Sequence, residues 1–219
     1  MRLYQAKVIN TCPRRVTIYM AEKGIECDVV TVDMRAGAGR TPEFLRMNPA
    51  GTVPVLELDD GSFLPESAAI IEYLEELYPD PPMLGKSSEE RARIRAAERI
   101  ITDFQSRFGI WSGNSHPSWP KRRPEMVQFP EVAEYVVPAR DMGVRALEAL
   151  IGDNEFLVGN RPSIADCALF ALIDTSNRLT DYEFPDTAPR LRGWFNRFRE
   201  RQSAQYPDWA VERAAKALT

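Results

Sequence analysis

Gly51-Thr52-Val53-Pro54-Val55-Leu56-Glu57-Leu58-Asp59-Asp60-Gly61-Ser62-Phe63-Leu64-Pro65-Glu66-Ser67 is the stretch on which the fold turns. Pro54 has no N–H to give a sheet ladder, so it belongs at the first residue of a strand or on an edge. The Val53-Pro54 bond is one that can be cis at modest cost, which would turn the N–H and C=O of Val53 outward. Those groups suit an extended peptide lying alongside as an added strand. Asp60-Gly61 predicts a hairpin turn between strands at 55–58 and 62–64. Glu66-Ser67 then opens a helix, and the free N–H groups of a helix start attract anions. A peptide-pairing edge beside an anion-holding helix start fits a small peptide with a free carboxylate.

Working outward, residues 3–9 read as a strand and 14–23 as a helix ended by Gly24. Residues 28–32 are rich in valine and read as a second strand. Gly37 and Gly39 mark a loop, 42–47 a short helix, and Asn48-Pro49-Ala50-Gly51 its end. With the hairpin and a helix over 67–77 the order is β-α-β-α-β-β-α, the thioredoxin-like order of a mixed sheet with helices on both faces. The proline-dense Tyr78-Pro79-Asp80-Pro81-Pro82 marks the boundary, giving domains over 1–79 and 87–219 joined by a linker at 80–86. The second domain is all-α. Apolar residues at helical spacing predict helices over 88–108 and 136–151, a buried one over 163–175 and an amphipathic one over 191–201. The proline- and aromatic-rich 113–130 reads as a long loop or interrupted helix. Ser163-Ile164-Ala165-Asp166 is a capping box in which Asp166 has a folding role. The tail after Tyr206-Pro207-Asp208-Trp209 either closes over the site or covers the core.

Composition narrows the class. A net charge of −4 over 219 residues gives no general reason to expect nucleic acid. No apolar run approaches the roughly 20 residues that span a bilayer. Cys12, Cys27 and Cys167 are too few and too scattered for a disulfide framework, which suits a reducing cytoplasm. With one histidine, His116, no metal-site spacing exists. Cys27 and Cys167 read as packing residues and His116 as a loop residue.

The ordered set of Val53-Pro54, the hairpin and Glu66-Ser67 resembles the glutathione-binding half of the cytosolic glutathione transferases, and the resemblance extends over nearly the whole chain. It implies a glutathione transferase, glutathione as co-substrate, no metal, an apolar electrophilic second substrate, a role in detoxification and a homodimer. In this family the glutathione thiol is ionised near the start of the first helix, here Asn10-Thr11-Cys12-Pro13-Arg14-Arg15. Cys12 matches the cysteine of the bacterial beta class. Asn10 stands where the zeta and theta classes carry a serine, so the Ser-Ser-Cys start of the zeta class becomes Asn-Thr-Cys. Two chemistries follow. Cys12, at a positive helix end, can form a mixed disulfide with glutathione. Alternatively Asn10, Thr11 or the backbone donates to a glutathione thiolate and favours its ionised form.

The resemblance further implies that Val53 pairs its main chain with the cysteinyl unit of glutathione and that Pro54 holds that geometry. Glu66 and Ser67 take the γ-glutamyl end. Arg40 matches a basic position meeting the glycyl carboxylate in the phi class, and Thr52 replaces a glutamine there. Asp103 lies where theta-like enzymes send an acid across the dimer. The second-substrate pocket would lie between the domains, with Phe104, Phe108, Trp111, Trp119 and Tyr182 as its aromatic candidates. Two rival functions stand beside this one: a glutathione-dependent disulfide reductase or thioether-cleaving enzyme using Cys12 or a second glutathione, and a non-catalytic interaction module.

Overall fold

The computed structural model describes residues 1–205 and divides them into two compact units, Met1–Met83 with the segment from Arg199 onward, and Leu84–Phe198. The tail from Tyr206 lies outside the described residues. In the first unit β1 (Arg2–Ala6) leads through α1 (Thr11–Lys23) to β2 (Asp28–Val32), which lies parallel to β1. A single 3-10 turn, Ala38–Arg40, precedes α2 (Pro42–Met47). The hairpin β3 (Val55–Glu57) and β4 (Phe63–Pro65) is antiparallel, and α3 (Ser67–Leu77) follows. The sheet order is β2-β1-β3-β4.

Alternation along β1 explains the two covered faces. Ala6 clusters with Val32, Phe44, Val53 and Val55, joined by Tyr4 and Met47, on the α2 face. Leu3, pointing the opposite way as strand geometry requires, is fully buried on the α1 face. Helix α1 closes in a Schellman motif: Ile25 N–H donates to Met20 at 2.9 Å and Gly24 N–H to Ala21 at 3.2 Å. Glu75 of α3 ties that helix to α1. It accepts from the Tyr19 hydroxyl at 2.6 Å, from the Lys23 ammonium at 2.7 Å and from the Met83 N–H at 2.7 Å. With its oxygens so engaged, a buried carboxylate is held by partners rather than left as an uncompensated charge.

The segment after Arg199 is clamped to α1. Arg201 donates to Glu22 through Nε at 2.7 Å and Nη2 at 2.8 Å, Ser203 donates its hydroxyl to the same carboxylate, and Arg14 donates to the carbonyls of Ala204 and Gln205. Burial by itself would raise the Glu22 carboxyl; the bonds from Arg201 and Ser203 outweigh it and hold the group below the ordinary 4.5. A depressed carboxylate contributes stability that is present above about pH 4.5 and lost as pH falls through the folded value. The Glu22→Gln variant is therefore expected to lose stability at pH 7 but to show a shallower acid decline than the parent below about pH 4.5, checked by denaturation midpoints from pH 3 to 7.

The second unit consists of α4 (Ser88–Ser115), α5 (Ser118–Arg122), α6 (Pro130–Ile151), α7 (Ile164–Thr180) and α8 (Pro189–Arg199). Ser87 caps α4 by accepting from Glu90 N–H at 3.1 Å. Gly143 of α6 lets that helix approach α4: a Cβ there would meet Phe104 at 2.8 Å. Nearly every residue of α7 through Ser176 is buried, as the apolar run predicts, and the capping box is formed.

Several boundaries differ from the sequence expectation. β1 stops at Ala6, not at residue 9, because its pairing with β3 ends at Tyr4 and its pairing with β2 at Ala6. Strand β4 lies one residue later than expected, with Pro65 opposite Val55. Helix α4 runs on to Ser115, carried by the buried Ser112 and Gly113, and α5 spans Ser118–Arg122, so of the two readings of 113–130, a long loop or an interrupted helix, the second is the one found. Helix α6 begins at Pro130, where a proline in the first turn forgoes no bond. Helix α7 extends to Thr180, and α8 lies about two residues earlier than 191–201.

Candidate active site

Strand register gathers the candidate groups of the first unit. Tyr4 lies opposite Val55 in an antiparallel pair, so the residues leading into β3 lie beside the end of β1; Val53 and Ala6 share one cluster. Val55 in turn lies opposite Pro65, so the start of α3 falls at the same end of the sheet. The segment Lys7–Cys12, the Val53-Pro54 pair and Glu66-Ser67 therefore meet at one sheet end, with the N-termini of α1 and α3. The Val53-Pro54 bond is cis, and Val53 and Pro54 are both buried.

Glu66 stands at φ 72° and ψ 116°, a conformation that non-glycine residues seldom adopt. Its carbonyl receives the Ile70 N–H at 2.9 Å, so this backbone turns sharply while already beginning α3. Strain of this kind persists where surrounding structure enforces it, and it gathers at ligand clamps. Ser67 follows as the first helical residue and is buried, while Glu66 is exposed.

At α1 the helix begins one turn earlier than the sequence suggests. Asn10, extended at φ −151°, is the N-cap; its Oδ1 accepts from the Cys12 N–H at 3.3 Å. This fixes the carboxamide, with the Nδ2 donor on the arm opposite the helix. Thr11 and Cys12 are the first two helical residues, both half-buried.

A second loop is locked onto this end. Asn48, almost fully buried, donates from Nδ2 to the Thr52 carbonyl at 2.8 Å and to its hydroxyl at 3.1 Å, and its Oδ1 accepts from Ala50 N–H at 3.0 Å. The backbone of Gly39 approaches that of Gly51 so closely that a Cβ on Gly39 would meet the Gly51 oxygen at 2.5 Å. The contact anchors the turn carrying the exposed Arg40 to the loop carrying Thr52 and Val53. Neither Asn48 nor Gly39 stood out as a site organiser in the sequence; the signal was the Asn48-to-Gly51 stretch, legible only as a helix stop. Gly39→Ala is expected to cost about 2 kcal/mol, since two backbones cannot part without moving both loops, and a urea titration would show it.

In the second unit Asp103 is exposed on α4 and paired with Arg107 at 2.8 Å. Phe104 is fully buried and Phe108 nearly so, both in the packing of α4. Phe108, Trp111 and Tyr182 form an aromatic cluster, with Tyr182 edge-on to Phe108 at 4.6 Å and the Arg140 guanidinium 4.3 Å from the Trp111 ring centre. Burial pushes the Tyr182 phenol up to about 12, against the pull of Arg140, so it stays protonated at neutral pH. Trp119 is half-buried and donates its indole N–H to Ser112 at 2.9 Å. His116 contacts Ser118 at 2.8 Å within the loop. Arg140, placed over the indole, is a member of this cluster that no sequence pattern singles out.

A thioredoxin-type sheet with a cis proline opposite the start of its first helix, followed by a helical unit, defines a class of two-unit proteins, and comparison with known proteins supplies the family. Residues 11–77 match the Glutathione S-transferase, N-terminal domain family and residues 115–202 the Glutathione S-transferase, C-terminal domain family. The maleylacetoacetate isomerase of Pseudomonas aeruginosa is 32% identical over 208 residues, covering 91% of this chain and 94% of that protein. Glutathione S-transferase 2 of Saccharomyces cerevisiae is 32% identical over 203 residues, covering 88% of this chain and 83% of that protein. Among solved structures, a glutathione S-transferase domain-containing protein from Marinobacter aquaeolei superposes with a TM-score of 0.82 at 30% identity, covering 94% of this chain and all of that one. The chain belongs to the glutathione S-transferase family, and it is an enzyme of glutathione transferase type.

Proposed function

We propose that the enzyme binds glutathione at the sheet end where α1, Val53-Pro54 and α3 converge, and presents its thiolate to a small apolar electrophile. The observation that carries this reading is the register itself, which aligns two helix N-termini with an edge that precedes the ladder residues of β3. Val53 offers its main chain to the cysteinyl unit, held in place by Pro54. Ser67 takes the γ-glutamyl carboxylate through its hydroxyl and N–H at the positive end of α3, with Glu66 facing the γ-glutamyl amine. Arg40 and Thr52 serve the glycyl end. Trp111, Trp119 and Tyr182, backed by Phe104 and Phe108, offer the aromatic surface for the electrophile. The enzyme works as a cytoplasmic homodimer in detoxification, with Asp103 reaching the partner's glutathione.

Thiol ionisation falls to Asn10. Its Oδ1 is held by the Cys12 N–H, which orients the amide donor without the need to carry a proton. Thr11 and the first backbone N–H groups of α1 add to the same field. The test is the ultraviolet thiolate absorbance of bound glutathione against pH. Removing Cys12 in Cys12→Ala is expected to leave the thiolate signal in place, whereas Asn10→Ala lowers the thiolate fraction at pH 7 about tenfold. A signal that disappears with Cys12 alone, while glutathione still binds, would transfer the chemistry to thiol–disulfide exchange.

A further inference from the structure

Beyond the glutathione site, the first unit carries a groove of about 750 Å³ on the α1 face of its sheet, inside the roughly 300–1,000 Å³ range of small-molecule sites. Strand alternation decides what lines it. Leu3, Gln5 and Lys7 reach it from the β1 side, whereas Tyr4 joins the cluster on the opposite face. Val29, the partner of Leu3 on the edge strand β2, is 46% exposed, so the groove opens beside that edge. Thr17 of α1 and Ile25 just past that helix, both half-buried, line the other side.

Most polar groups around the groove are already engaged. Thr17 donates to the Arg14 carbonyl at 3.0 Å, Arg14 donates to the carbonyls of Ala204 and Gln205, Cys27 donates to the Asp28 carbonyl at 3.2 Å, and Lys7 pairs with Asp33 at 3.0 Å. Glu26 and Asp28 are exposed to water at the rim. Gln5 is only 6% exposed, yet among the described residues no hydrogen bond satisfies its carboxamide. Buried amides are ordinarily paired, so this one is left for a ligand. Its acceptor Oε1 and its donor Nε2 lie on one edge of a planar group. A trans peptide turns its N–H and C=O to opposite sides and meets only one of them. A carboxylate offers acceptors alone, and Glu26 and Asp28 repel it. A lactam, whose ring fixes the amide cis, presents N–H and C=O side by side and matches both. We propose that this groove binds a flat apolar lactam, with Gln5 exchanging two hydrogen bonds with the amide edge and the ring lying against Thr17, Ile25 and Val29.

The test titrates the full-length protein, by calorimetry and by amide NMR, with carbostyril and with N-methylcarbostyril, which has lost the N–H donor. Carbostyril is expected to bind and to shift the amides of residues 5–10 and 25–29, and the N-methyl compound to bind about tenfold more weakly. Gln5→Leu is expected to abolish that preference. The same variant should unfold at a higher urea concentration than the parent, since an unpaired buried amide gives way to an apolar side chain. Equal binding of the two compounds by the parent, binding of neither, or shifts confined to residues 84–198 would overturn the proposal. So would a preference for carbostyril that survives in Gln5→Leu. A lower urea midpoint for that variant would overturn it as well, because the fold itself would then be using the carboxamide.

Discussion

Asp166→Ala is expected to cost at least about 4 kcal/mol, enough to leave much of the chain unfolded at 37 °C, and a denaturant titration of the purified protein would measure it. The reason lies in what the carboxylate holds. Oδ1 accepts from the Leu157 N–H and the Trp194 indole N–H, both at 2.9 Å; Oδ2 accepts from the Ser163 N–H at 2.9 Å and its hydroxyl at 2.8 Å. The carboxylate thus joins the start of α7, the loop before it and α8. All of these groups are buried, so truncation leaves three N–H donors without an acceptor, each worth about 1–3 kcal/mol of desolvation. An ordinary capping residue costs only about 1 kcal/mol to remove, so a measured loss of that size would show that the linkage to Trp194 and Leu157 contributes nothing.

The same residue has a pH signature opposite to that of Glu22. Complete burial pushes the Asp166 carboxyl above its ordinary 3.8, and the four bonds from Leu157, Ser163 and Trp194 oppose that only in part. A raised carboxyl contributes stability that is fully present below about pH 3.8 and lost as pH rises through the folded value. Across that window Asp166 and Glu22 pull the stability curve in opposite directions. The acid limb of unfolding therefore reports the clamp on residues 201–203, not the buried carboxyl of α7.

How far the sequence alone reached depends on whether the signal was local. Pro54, Asp60-Gly61, Gly24 and the Ser163–Asp166 box each constrain their own backbone, and each is found doing so, which is why β3, β4, α2, α3 and the start of α7 were legible. Segments governed by tertiary contacts were not. Ser112-Gly113-Asn114-Ser115 has poor helix propensity, yet it is helical because Ser112 and Gly113 are buried and the Trp119 indole bonds to Ser112. The first turns of α6 expose Val132 and Tyr135, so their apolar pattern does not mark a buried face, and Pro138 inside the helix obscures the period further. At the candidate site, the residue types were visible in the chain, but the Asn10 cap, the Gly39–Gly51 contact and the left-handed Glu66 are geometric facts. A sequence motif names the residues; only the register shows that they share one end of the sheet.

That shared end makes Ser67 the most exacting test of the binding mode. Ser67→Ala is expected to raise the KM for glutathione about tenfold to a hundredfold while kcat stays within about threefold, because a bond to the γ-glutamyl carboxylate is made equally in ground and transition states. The size follows from a charge-assisted hydrogen bond, about 1.5–3 kcal/mol, lost from a buried position where water does not replace it well. Stability should barely change, since the backbone N–H that begins α3 is retained. The assignment gains its specificity from the substrate side. Cysteinylglycine, which lacks the γ-glutamyl unit, offers Ser67 nothing to bind, so its KM should be the same in the parent and in Ser67→Ala. An equal loss for both thiols would instead mean that the variant has disturbed the helix start as a whole, and glutathione would then be held at some other edge of the sheet. Asn10→Ala supplies the contrasting pattern, lowering kcat through the thiolate with little effect on KM. The two variants together separate the group that holds the peptide from the group that charges its sulfur.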